Sequence, residues 1–344
     1  MNRIVRRAVT RLMAIASSVV DTSIPSLSRS VNLGRRNFGI AIQSRVGYNH
    51  MLNMELQVRT PECGEGEKCM ENIHRVAAVH DLSCFGRCSL AVILPVLSAM
   101  GVQACPLPTA VLSTHTGGFG PVARTELAGQ LRGTLEHWEG LGLTFDGVYT
   151  GYLSSPEQAR LALEAVERLK KPGGLALVDP VLGDNGRLYR SVTPKLVAAM
   201  RELCRRVDII TPNLTEAAAL LECELEGLPE DGRELARLLS AGGMRSVVVT
   251  GVSPKPGTVG AAWYDRRNGR AGCWAGEKIP GEYPGTGDLF SSVLTGSLIC
   301  GDSLESGAVR AADFVRRCTA HTRDLGGPAR EGVAFEPLLG RLIP

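Results

Sequence analysis

The sequence predicts an α/β protein, a three-layer α/β/α sandwich around a mostly parallel central sheet, and three observations carry that expectation. From Arg75 onward short β-rich runs alternate with longer amphipathic segments, the order produced when each strand is followed by a crossover helix. Several runs are apolar throughout, Val247, Val248 and Val249 among them, as strands covered on both faces are. Polar residues gather where the runs end: His80-Asp81, Thr150-Gly151-Tyr152, Asp179-Pro180, Thr211-Pro212-Asn213 and Thr250-Gly251. Ligands of open parallel sheets bind outside the carboxyl ends of the strands, so five runs bring candidate ligand groups to one edge.

Taken in order, strands are expected at 76–79, 102–105, 147–150, 176–179, 208–211, 246–250 and 261–264, each short and rich in β-branched or apolar residues. Helices are expected at 89–100, 124–139, 156–170, 193–204, 215–221, 232–241, 286–300 and 303–322, where apolar residues recur at helical spacing. No internal repeat or low-complexity linker interrupts residues 70–344, so this stretch reads as one domain.

The 344 residues are 44% hydrophobic and 21% charged with 40 Gly and 19 Pro, which excludes a disordered, collagen-like or disulfide-stapled chain. The net charge of +3 gives no reason to expect nucleic acid, and the basic excess lies in residues 1–69, with ten basic and five acidic side chains. The longest apolar run, Leu90 to Val102, is broken by Pro95 and falls short of the roughly 18 residues a membrane span needs, so no membrane association is expected. The ten Cys form no CxxC pair, and Cys84, Cys105, Cys204, Cys223 and Cys300 sit among apolar neighbours as reduced core thiols do. The six His show no metal-ligand spacing, and no zinc is expected. A cytoplasmic protein fits these features. Residues 1–69 form a tail too poor in apolar periodicity to fold alone. Eight Arg, many Ser and one acid in residues 1–50 suit a transit peptide, and Leu12 to Val20 resembles a weak secretory signal. Translation begun upstream of Met70 would produce the same tail by accident.

The most informative segment is Pro284-Gly285-Thr286-Gly287-Asp288 before a helical run. Its glycines allow a tight turn that exposes amides at a helix N-terminus, where they and the helix dipole hold an anion such as a phosphate. Asp288 then stands where it can accept a hydroxyl proton during phosphoryl transfer, although a plain turn with an aspartate cap would read the same. In Asp208 to Glu216, Asn213 and Glu216 lie one helical turn apart on one face, either as Mg²⁺-organising groups or as an ordinary cap. Asp179, at the end of an apolar strand and before Pro180, is a second Mg²⁺ candidate, whereas Asp184-Asn185-Gly186 is more simply a turn. His115 either touches substrate or fixes its own loop, and Trp138 is most simply core or interface.

In this order, VAAVHDLSCFGRCS, PTAVLSTHTGGFG, VYTGYLSS, VDPVLGDNGRLY, DIITPNLTEA, VVVTG and PGTGDLFSSVLTG resemble the pyridoxal/pyridoxamine kinase branch of the ribokinase-like superfamily, from about Arg75 to the C-terminus. The resemblance implies ATP-dependent phosphorylation of the 5′-hydroxyl of a B6 vitamer. It makes Asp288 the general base, with the Gly285, Thr286 and Gly287 amides on the γ-phosphoryl group. Asp179 and Glu216 would organise Mg²⁺ with ATP, a monovalent cation being an optional addition, and Thr211, Asn213 and Thr250 would line the nucleotide side. Asp81, Thr116, Gly117 and Tyr152 would surround the vitamin ring, and the family implies a homodimer. Where many pyridoxal kinases have Ser, this chain has Asp81, a carboxylate able to pair with a protonated ring nitrogen or a substrate ammonium. The motif ends in Asp288 where hydroxymethylpyrimidine kinases, and the pyridoxal kinases similar to them, typically have Cys, which favours the pyridoxal kinase branch. The alternatives are a hydroxymethylpyrimidine, sugar or nucleoside kinase of the same superfamily, and a non-catalytic carrier or sensor of B6 vitamers. Sugar kinases usually carry a longer early β-lid, for which residues 101–123 leave little room.

Overall fold

The computed structural model describes residues 73–241 and 245–344, together with the backbone of a two-residue antiparallel pair, Val31–Asn32 with Asn37–Phe38. The remaining tail, with its targeting and start-site readings, lies outside the described residues. Residues 72–344 form one compact unit.

In this unit the strands are β1 Arg75–Ser83, β2 Gln103–Leu112, β3 Arg124–Glu126, β4 Phe145–Thr150, β5 Lys170–Val178, β6 Gly183–Asp184, β7 Arg187–Leu188, β8 Ile209–Ile210, β9 Ser246–Val252, β10 Thr258–Asp265 and β11 Arg270–Glu277. The helices are α1 Leu90–Ala99, α2 Ala128–Gly140, α3 Pro156–Leu169, α4 Pro194–Arg205, α5 Leu214–Leu221, α6 Gly232–Leu239, α7 Thr286–Ile299 and α8 Leu304–Leu325. Nine strands make one sheet in the order β11-β10-β9-β8-β5-β4-β1-β2-β3. The six inner strands, β9 through β2, are parallel to one another, and β3, β10 and β11 add antiparallel edges. The sandwich is therefore observed.

Helix starts follow local chemistry. Ser155 caps α3 by accepting from the Gln158 amide, Thr193 caps α4 from the Leu196 amide, and each is followed by proline in the first turn, where no amide partner is needed. Alternate strand residues bury on opposite faces: Ala77, Val79, Val148 and Val178 pack with α2 to α6, while Val76, Ala78, Tyr149 and Leu177 pack with α1, α7 and α8. The chain leaves β1 in one direction to reach β2 through α1, then returns past β1 to β4 and continues through β5 and β8. The strand order thus reverses between β1 and β4, the crevice where open α/β sheets bind ligands.

Four expectations change. The helix expected from Arg124 begins at Ala128, because Arg124–Glu126 pairs antiparallel with Ala110–Leu112 as an edge strand. The strand expected at 102–105 runs on to Leu112 through Pro106 and Pro108, which pair with Ala78 and His80; only residues 110–112 of β2 pair with β3, so these prolines leave no ladder bond unmade on the outer side. The strand expected at 261–264 belongs to an antiparallel extension, whose partner β11 is half-exposed and lacks the apolar run that marked the others. Cys84, Cys223 and Cys300 are exposed, contrary to the core-thiol reading, whereas Cys204 is buried and Cys105 partly so. Trp138 is partly buried and packs against the core beside Phe145, with ring centroids 5.1 Å apart. Among the described residues no helix is long and apolar enough to cross a membrane.

Candidate active site

The glycine turn opens α7. Gly285 is the N-cap, with φ of 80°, and a Cβ there would stand 1.9 Å from the Arg87 carbonyl oxygen, so the backbone of the β1–α1 loop presses directly on the turn. Asp288, third in the helix, does not cap its own N-terminus. Its Oδ2 accepts from the Ser89 amide at 2.7 Å and its Oδ1 lies 3.0 Å from His80 Nε2. Both partners come from across the crevice, at the end of β1 and the start of α1.

His80 is 1% exposed. Its Nδ1 lies 2.9 Å from Asp81 Oδ1, so the imidazole bridges two carboxylates. Burial by itself would lower its proton affinity, but the charge and hydrogen bonds of Asp288 and then Asp81 push the pKa up to about 10. The Asp81 and Tyr152 amides also approach the same ring nitrogens, at 3.0 and 3.2 Å. An imidazolium donates from both nitrogens, and the charge-assisted bonds to the carboxylates are the stronger claim on those protons. Gly151 makes the arrangement possible: a Cβ there would meet the imidazole at 2.0 Å.

Asp81 corrects the expectation of a ring-binding carboxylate. It is 4% exposed, and it accepts from Ser83 Oγ at 3.1 Å and from Ser89 Oγ at 2.6 Å besides pairing with His80. Burial raises its pKa, but the His80 and serine hydrogen bonds outweigh that and hold it below the usual value. Its Oδ1 takes His80 and Ser89 and its Oδ2 takes Ser83, so in this buried position its charge is directed at His80.

The β5 and β8 tips bring the second group. Asp179 Oδ2 accepts from Ser291 Oγ of α7 at 3.1 Å, and Ser291 Oγ lies 3.0 Å from Thr211 Oγ1. A Cβ on Gly287 would come 3.8 Å from Asp179 Oδ2, so Asp179 borders the glycine turn. Asn213 and Glu216 form a reciprocal capping box: Asn213 Oδ1 accepts from the Glu216 amide at 3.0 Å, and Glu216 Oε2 from the Asn213 amide at 2.9 Å. Glu216 Oε1 also accepts from the Leu182 amide at 3.1 Å, and Asn213 Nδ2 donates to the Gly183 carbonyl at 2.8 Å. The box therefore fastens the loop after Asp179 to α5. Thr250 is half-buried and bridges to Asn213 through the backbone.

Asp179 and Glu216 have no ion-pair partner among the described residues. Burial first, then the Asp288 charge, pushes Asp179 up to about 7; burial first, then Asp179, pushes Glu216 well up. Two buried carboxylates with raised proton affinities, that of Glu216 owing partly to the Asp179 charge, suit a hard divalent cation, which would replace the protons they otherwise favour. Among the described residues no three His, Cys, Asp or Glu side chains gather as a metal cage, so such an ion would keep waters or phosphate oxygens as its other ligands.

On the opposite side of the crevice, Thr116 and Gly117 are exposed on the loop between β2 and β3. His115 holds that loop: its Nδ1 accepts from the Gly117 amide at 3.1 Å, leaving Nε2–H to donate to the Arg330 carbonyl at 2.6 Å. Both ring nitrogens are thus taken by the backbone, the loop-fixing arrangement of the two readings. Tyr152 stands half-buried with the Arg124 guanidinium 5.7 Å from its ring centroid. Phe119 packs edge-on against His115 and Phe85, and the Arg330 guanidinium lies over its ring. Sequence reasoning singled out neither His80 nor Ser89 nor Ser291 as site residues. The His-Asp pair at a strand tip was a usable signal for the first; nothing in the spacing marks the two serines.

Residues 94–331 match the family model described as phosphomethylpyrimidine kinase. A pyridoxine/pyridoxal/pyridoxamine kinase of Bordetella avium is 32% identical over 72% of this chain and 85% of its own length. The crystal structure of pyridoxal kinase from Lactobacillus plantarum is 34% identical, with a TM-score of 0.73 over 79% of this chain and 97% of that one. A Bacteroides thetaiotaomicron protein crystallised with pyridoxal is 40% identical, with a TM-score of 0.73 over 79% and 96%. The chain belongs to the pyridoxal kinase family of the ribokinase-like superfamily.

Proposed function

We propose that the protein transfers the γ-phosphoryl group of ATP to the 5′-hydroxyl of a B6 vitamer, whether pyridoxal, pyridoxamine or pyridoxine. One observation carries the reading: at the strand reversal, the Asp288 carboxylate stands in the first turn of α7, held on both oxygens and beside amides that Gly285 frees for an anion. Each Asp288 oxygen keeps a lone pair beyond its present partner, so the carboxylate can accept the hydroxyl proton without giving up its anchors. The Gly285, Thr286 and Gly287 amides stabilise the charge spread over the transferred group, aided by the helix dipole. Thr211 and Thr250 border the nucleotide, while Asn213 supports that side by keeping α5 and the Asp179 loop together. Thr116, Gly117 and Tyr152 border the vitamin ring. Asp179 and Glu216 would hold Mg²⁺, directly or through water, and the ion would supply charge neutralisation between the β- and γ-phosphates. Most of the acceleration then comes from alignment and fixed charge. Family membership alone extends the reading to a cytoplasmic homodimer.

The test is a coupled ADP-release assay on the full chain with the three B6 vitamers, a hydroxymethylpyrimidine, ribose and a nucleoside. Turnover is expected with the B6 vitamers. Turnover confined to another acceptor replaces the substrate assignment, and vitamer binding without ADP release replaces the enzyme with a carrier.

A further inference from the structure

We propose that His80 is the positioning residue of the phosphoryl-transfer site: its imidazole, clamped by Asp81, fixes the Asp288 carboxylate in the orientation that receives the substrate proton. The inference rests on Asp288 being the base, as argued above.

Four observations converge on it. The ring is buried and bonded at both nitrogens, to Asp81 and Asp288, so it has no freedom to turn. Ser89 repeats the connection by a second route, with its amide on Asp288 Oδ2 and its hydroxyl on Asp81 Oδ1. Ser89 does so at φ 60° and ψ −140°, a conformation unfavourable for a non-glycine residue that the loop nonetheless maintains. Gly151 contributes only room for the ring. Strain, an omitted side chain and a buried ion pair are all directed at one carboxylate, and none is required to close the fold, since β1 and α1 are already secured by sheet pairing and apolar packing.

The consequence is geometric. A displacement of about 1 Å at a reacting group costs roughly 10²-fold in rate. Besides Asp81 and Asp288, the titratable groups around the ring are Tyr149 of β4, with ring centroids 6.4 Å apart, Asp179 beyond β5, and Cys88 of the β1–α1 loop, near both carboxylates. Among the described residues, only Asp81 and Asp288 touch the imidazole as ion pairs.

Two near-isosteric variants separate the two bonds. His80→Gln keeps a donor near the Nε2 position, toward Asp288; His80→Asn keeps one near Nδ1, toward Asp81. With kcat expressed per folded enzyme from parallel thermal melts, Gln should lose about 10-fold or less and Asn roughly 10²-fold, with KM for ATP within about threefold of wild type in both. Equal losses, the reverse order, or a loss carried by KM overturns the proposal. A second measurement is independent of turnover: proton–nitrogen NMR of the wild-type imidazole should show both nitrogens protonated through pH 8, with one proton lost at lower pH in Asp288→Asn. A neutral imidazole at pH 7 overturns the arrangement even in an active enzyme. If the wild type phosphorylates no vitamer, the kinase reading falls while the NMR result still decides the His80 arrangement.

Discussion

The two acidic regions of the crevice contain similar residues and solve opposite problems. At the β1 side, Asp81 and Asp288 share a cationic imidazole, so the protein supplies the counter-charge itself. At the β5 and β8 side, Asp179 and Glu216 are held by hydroxyl and amide donors, with no ion-pair partner among the described residues. Their proton affinities diverge accordingly: Asp81 is held low by His80, while Asp179 rises to about 7. A carboxylate in a completed ion pair has a fixed orientation and suits proton transfer. A carboxylate left with excess negative charge suits a cation that arrives with the substrate.

The contrast breaks most sharply at Asp288. Asp288→Asn should cut kcat by roughly 10²–10⁴-fold, the usual contribution of general base catalysis, while calorimetric affinity for pyridoxal changes by less than about threefold. Turnover near that of wild type would remove the base from the β1 side and leave both regions as scaffolding.

The smaller effect of Asp179→Asn tests the other side. It should raise the Mg²⁺ concentration giving half-maximal rate by about 10-fold or more, whereas Asp81→Asn, on the internally neutralised side, should leave that concentration within about twofold. An unchanged Mg²⁺ titration in Asp179→Asn would show that the cation is held elsewhere.

Stability against pH distinguishes the regions without turnover. Asp179 has a folded pKa of about 7, above its ordinary 3.8, so its protonation stabilises the fold below the ordinary value and that contribution is lost as pH rises through about 7. Glu216 acts in the same direction. His80, raised from 6.5 to about 10, adds a loss that begins only above its unfolded value. The metal-free protein should therefore melt at progressively lower temperature from pH 5 to pH 6.5, and either Asp179→Asn or added Mg²⁺ should flatten that slope. A wild-type slope that is flat or rising over this interval contradicts the difference between the two regions.

The smallest effect belongs to Asn213. Loss of its cap in Asn213→Ala should cost about 1 kcal/mol in chemical denaturation and change kcat by less than about threefold at saturating nucleotide. A large kcat loss with unchanged stability would give this side chain a direct part in nucleotide chemistry.

Much of this organisation was legible in the sequence, for reasons that also mark where legibility ends. The inner strands announced themselves because burial on both faces makes them continuously apolar, as at Val247 to Val249. The antiparallel strand β11 did not, since Arg270, Cys273 and Glu277 are exposed and no apolar run forms. Arg124–Glu126 passed as a helix start because its strand character comes from pairing with β2, whose Leu112 is the partner of Arg124 12 residues upstream. The glycine turn and its aspartate were visible through their chemistry. Asp81 was misjudged because an exposed-looking acid at a strand tip and one locked to its neighbouring histidine have the same sequence. The Asn213 and Glu216 spacing supported both ligand and cap, and the capping geometry appears only in three dimensions.

The absence of a side chain at residue 151 has a consequence for inheritance and for engineering. Because the imidazole occupies the volume any larger residue would fill, the two positions are one choice made twice. A library selected for folding that randomises position 151 alone should return glycine. One that also opens position 80 should recover folded paired exchanges, a smaller side chain at one site admitting a larger one at the other, without the turnover that His80 supports.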